Sequence, residues 1–74
     1  MTVVVAVVGY GADSLIAIER VITGELIATA RRLAKVPDDD PILSVAYRLS
    51  EADARSLVDI PLGLSYFLTS YVED

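Results

Sequence analysis

Residues 3–8 read Val-Val-Val-Ala-Val-Val, and this run limits the fold more than any other feature of the chain. Branching at Cβ restricts χ1 in a way that suits a pleated surface, so the run is expected to be a strand. It lacks the apolar/polar alternation of a strand with one wet face, which implies burial on both faces and neighbouring strands on each side. Gly9-Tyr10-Gly11-Ala12 then supplies a tight turn, and Asp13 or Ser14 can accept from the first free amides of a following helix.

That helix is expected over residues 14–35. Leu15, Ile18, Ile22, Leu26 and Leu33 recur at spacings of three, four and seven and form one stripe, with Arg20, Gly24, Arg31 and Lys35 opposite. Ile16, Ile27, Ala30 and Ala34 lie beside the stripe and are assigned to an interface, with a second helix of the protomer or across a dimer axis. Pro37 ends the helix, and Asp38-Asp39-Asp40-Pro41 reads as a solvated turn. These carboxylates have neither the spacing nor the closing Glu of an EF-hand, and no metal site is assigned.

Residues 42–49 satisfy both periods. As a strand, Leu43, Val45, Tyr47 and Leu49 share a face; as a helix, Asp40 would cap and Ile42, Val45, Ala46 and Leu49 would share one. The strand is preferred because Ser50, with Asp53 three residues on, makes a fresh helix start for residues 51–59, ahead of Pro61. In the tail, Leu64, Tyr66, Leu68, Ser70 and Val72 alternate against Ser65, Phe67, Thr69 and Tyr71, and the Tyr, Phe, Thr and Val content favours a strand over 64–72. The resulting expectation is one small α+β domain over residues 1–74, a three-stranded sheet packed against one long and one short helix. The alternative is a mostly α chain with one N-terminal strand.

"VAVVGYGADS" resembles the dinucleotide-binding fingerprint, in which a strand feeds GxGxxG and a helix whose free amides hold a pyrophosphate. Gly9 and Gly11 match, Ser14 occupies the third glycine's place, and no second strand brings an acidic residue about twenty positions on to the ribose. Nor does a Gly-Lys-Ser/Thr close a Walker A loop. The pair is therefore read as a structural turn and no cofactor is assigned. An anionic or phosphate-bearing ligand at Gly9, Tyr10, Gly11 and Ser14 is the alternative reading.

A chain of 74 residues has a thin core, burying only about 60% of its unfolded surface. It contains no cysteine and no histidine, so disulfides, thiolate metal sites and the commonest neutral-pH acid/base group are all excluded. With 54% of residues apolar, further buried area would come from another copy or a larger partner. The net charge of −5 disfavours nucleic acid, and the cluster of Arg31, Arg32 and Lys35 is explained by the C-terminal end of a helix. Asp13 interrupts the first apolar stretch and no basic leader precedes it. We therefore expect no signal peptide or membrane span and a cytoplasmic protein, leaving a peripheral membrane contact open.

Glu19, Glu25, Asp53 and Asp59 have no sequence context that pairs them for acid/base work, so enzymatic activity is not expected. Tyr10 is a plausible contact aromatic beside the turn, and Tyr66, Phe67 and Tyr71 are assigned to an interface. The functional expectation is a non-catalytic protein-interaction protein, either a homo-oligomer or an accessory or regulatory subunit of a larger assembly.

Overall fold

The valine run lies at the centre of a sheet. The computed structural model describes residues 2–40, 43 and 45–73. Among them the elements run β1 (Thr2–Tyr10), β2 (Ile16–Ile22), α1 (Glu25–Leu33), β3 (Tyr47–Leu49), α2 (Glu51–Leu57) and β4 (Ser65–Glu73). All pairings are antiparallel, in a four-stranded sheet of order β2-β1-β4-β3.

The expected three-stranded sheet is thus corrected to four strands, and so is the mostly α alternative, because the first part of the expected long helix is β2. Ile16, Ile18, Val21 and Ile22 are all β-branched, and strand alternation sets Ile18 opposite Gly9 and Ile22 opposite Val5. Ile18 and Ile22 are four residues apart, a spacing that one face of a helix and one face of a strand both allow. Asp13 and Ser14 accordingly shape a hairpin and start no helix. The Gly11 amide donates to the Leu15 carbonyl and the Ser14 amide to the Gly11 carbonyl, both at 3.0 Å, and the Leu15 amide donates to Asp13 Oδ1 at 3.1 Å. Ser14 takes the left-handed conformation, φ 65°.

The helix begins only after Gly24, whose φ of 62° and ψ of −137° suit a residue without Cβ. It ends in a Schellman pattern: the Val36 amide donates to the Arg31 carbonyl at 3.0 Å and the Lys35 amide to the Arg32 carbonyl at 3.2 Å, with Lys35 at φ 58°. The shorter helix has a different inner face from the one expected. Ala30 is fully buried, while Ile27, Leu33 and Ala34 pack against the core; of the expected stripe, Leu26 is 40% exposed and Leu15 is 67% exposed beside the hairpin turn.

The core lies between the two helices and one face of the sheet. Val7, Ile22, Tyr66, Leu68 and Leu49 contribute from the strands, Ala30, Ala54 and Leu57 from the helices, and Leu43 and Ile60 from the connections. Ser50 caps α2, its Oγ accepting from the Asp53 amide at 3.1 Å, as the sequence predicts. Of the strand expected over 42–49, the described residues form one at Tyr47–Leu49; Val45 is exposed, and Ile42 and Ser44 lie outside the described residues. The acidic turn also differs from expectation, since Asp38 and Asp39 are exposed but Asp40 is buried. Asp40 Oδ2 accepts from the Tyr47 hydroxyl at 2.6 Å and its carbonyl from Arg31 Nη2 at 3.0 Å, which ties the connection to β3 and α1.

Candidate functional site

Residues directly opposite one another on neighbouring strands point to the same face of a sheet. Val5, Val7, Ile18, Ile22, Tyr66 and Leu68 make the face covered by the helices. The registers put Val4, Ala6, Val8 and Tyr10 of β1 on the other face, beside Val21, Glu19 and Ile16 of β2, Phe67, Thr69 and Tyr71 of β4 and Arg48 of β3. None of these joins the cluster that the helices cover, and this second face is the candidate site.

Its middle is closed by its own side chains. The Tyr71 hydroxyl donates to Glu19 Oε2 at 3.1 Å, and since Tyr71 pairs with Val4 while Glu19 pairs with Val8, the Tyr71 side chain crosses β1 over Ala6. Ala6 is consequently 0% and Val8 3% exposed without a helix above them. The hydrogen bond to Glu19, then burial and the charges of Glu19 and Glu73, push the Tyr71 hydroxyl above its ordinary pKa. Tyr10 meets Phe67 edge to face at 5.6 Å between ring centroids, and the Arg48 guanidinium carbon lies 6.0 Å from the Phe67 centroid. Around this centre the surface is apolar and open, with Ile16 56% and Val21 53% exposed.

One row across the sheet reads Glu19, Val8, Phe67, Arg48 from edge to edge. With strands about 4.8 Å apart, the two charges are separated by three spacings, or about 14 Å, and do not pair within one chain. Along this row Glu19 marks the β2 edge and Arg48 the β3 edge, while Glu73, opposite Thr2, adds a second carboxylate at the far end of β4.

The structure brings Tyr10, Ile16, Phe67 and Tyr71 together on this face. A register shift between Gly9 and Tyr10 sets Ile16 opposite Tyr10. Tyr66, Ala30, Ile27 and Ala34 belong instead to the core side; the Tyr66 hydroxyl donates to the Pro61 carbonyl, and Tyr66 and Ala30 are fully enclosed within the protomer. The sequence reading assigns none of Val4, Ala6, Val8, Glu19, Val21, Arg48 and Thr69 to a contact surface. Alternation within residues 16–22 and within the set Ser65, Phe67, Thr69, Tyr71 is the signal that carries them.

Of the glycine-turn residues, Tyr10, Gly11 and Ser14 line an open groove of about 430 Å³ with Ala46, Ser65 and Phe67. Gly9 is buried on the core side, where an added Cβ would meet Ile18 Cγ1, Leu64 Cδ1 and Tyr66 Cε1, each at 3.0 Å. No helix starts at Ser14 to offer free amides, and none of the six lining residues carries positive charge. The two serines have neither a carboxylate nor an amine beside them among those six. The groove therefore offers apolar area and aromatic edges. Comparisons with protein-family models, curated proteins and solved structures find no match to this chain.

Proposed function

We propose that this chain is a non-catalytic protein that acts by protein contact, as a homo-oligomeric or accessory subunit, and that the uncovered sheet face is its contact surface. The observation that supports this is the asymmetry of the sheet. Its β1 strand is apolar on both faces, yet helices cover only one, leaving Ile16, Val21, Phe67 and Tyr71 on the other. Contiguous apolar and aromatic area of this kind, rimmed by charge, is characteristic of interaction sites.

Hydroxyl-radical footprinting tests the reading. Tyr10, Phe67 and Tyr71 are expected to be protected when the protein is labelled in extract of its source cell, relative to the purified chain at nanomolar dilution. Leu15 and Leu62, which are exposed elsewhere, should label equally in both. Equal labelling of the three aromatics under the two conditions would overturn the proposal.

A further inference from the structure

We infer that the occupant of the uncovered face is the same face of a second copy, related by a two-fold axis running along the strands. The inference rests on reading that face as the contact surface and adds its partner and geometry. A rotation about an axis along the strands, placed between β1 and β4, keeps each residue at its level and reverses the strand order. Glu19-Val8-Phe67-Arg48 then lies on its own reverse, so that Glu19 of each copy meets Arg48 of the other and Phe67 lies over β1. The adjoining row, Val21-Ala6-Thr69, brings only apolar and hydroxyl groups beneath the partner.

The charges of the Glu19–Arg48 row choose this axis over the other simple one. A two-fold across the strands at the same row keeps the strand order and sets Glu19 against Glu19 and Arg48 against Arg48, which is repulsive at both edges. Both axes give the aligned packing that face-to-face sheets prefer, with strand directions within about 30° of each other, so the row of charges decides between them.

Sedimentation of the full chain and its charge variants tests the geometry. The wild type is expected to dimerise across the micromolar range. Glu19→Arg and Arg48→Glu should each raise the dissociation constant by about tenfold or more, since each sets like charges together at both edges. An equimolar mixture of the two variants should form heterodimers at wild-type affinity, and the double reversal within one chain should also restore it. Thermal unfolding at dilution checks that each variant is folded, and Arg55→Glu, a charge reversal at an exposed position of α2 outside the face, should leave association unchanged.

A wild type that stays monomeric throughout overturns the inference, and footprint protection in extract would then show that the contact reading survives with a different partner. Dimers that ignore both charge reversals, or single variants that fail to rescue one another on mixing, overturn this axis even if Val21→Lys still weakens association.

Discussion

Gly9 shows how a single residue type can be needed for packing while resembling a ligand-binding motif. Three side chains converge where its Cβ would be, and Gly11, the second glycine, faces only Asp13 Oδ1 at 3.1 Å. Gly9→Ala should therefore lower stability by about 1–3 kcal/mol through overpacking, and Gly11→Ala by less, as measured by urea unfolding. A second consequence at this scale concerns the phenols. The hydrogen bond to Asp40, followed by burial and the charges of Asp40 and Asp39, holds the Tyr47 hydroxyl above the ordinary tyrosine pKa, with Arg31 opposing; Tyr71 is raised similarly by Glu19. The folded state thus binds these protons more tightly than the unfolded state. Their contribution is fully present below about pH 10, the unfolded value, and is lost as pH rises through the raised folded values. Unfolding between pH 8 and 11.5 should show this decline, and Tyr47→Phe should flatten it.

At the scale of elements, legibility depended on whether a run satisfies one period or two. β1, the cap of α2 and β4 were readable because a valine run, a Ser-x-x-Asp start and a β-branched and aromatic tail each favour one answer. Residues 16–22 were misjudged because Ile18 and Ile22 fit both periods, and flanking Leu15 and Leu26 extended the helical stripe. Merging β2 into a helix makes Gly24 an interior residue rather than the turn it is, and puts Leu26 in place of Ile27 on the inner face of α1, while Leu33 faces inward in both. The open face was invisible for the same reason, since Glu19, Val21 and Ile16 join it only as members of a strand. The observed phase of α1 sets the mutational costs. Leu26→Ala should cost less than about 1 kcal/mol at its exposed position, whereas Leu57→Ala in the core should cost about 2–5 kcal/mol. Ile27→Glu, at a position packed on that core, should damage folding itself. Denaturant unfolding of the three variants checks the assignment, and equal losses for Leu26→Ala and Leu57→Ala would refute it.

At the scale of the whole molecule, a sheet apolar on both faces and covered on one leaves folding and association coupled. Val7 and Leu68 are sealed by the helices, but on the other face Val8 and Ala6 depend on Tyr71, Phe67 and whatever closes above them. If a second copy supplies that cover, stability becomes a function of protein concentration, because mass action favours the folded dimer over unfolded chains. Above the dissociation constant, each tenfold rise in concentration adds about 1.4 kcal/mol per dimer, or about 0.7 kcal/mol per chain. For a domain of this size that corresponds to a rise in Tm of about 3–5 °C. Val21→Lys separates this effect from intrinsic folding. Val21 is more than half exposed on the edge strand β2, where lysine is well tolerated, yet it lies within the area the partner covers. The variant should match the wild type in Tm at nanomolar concentration and lose the upward trend, because the lysine would have to leave water for an apolar interface. A wild-type Tm that stays constant from nanomolar to millimolar would mean that the protomer folds on the stability of its one covered face alone.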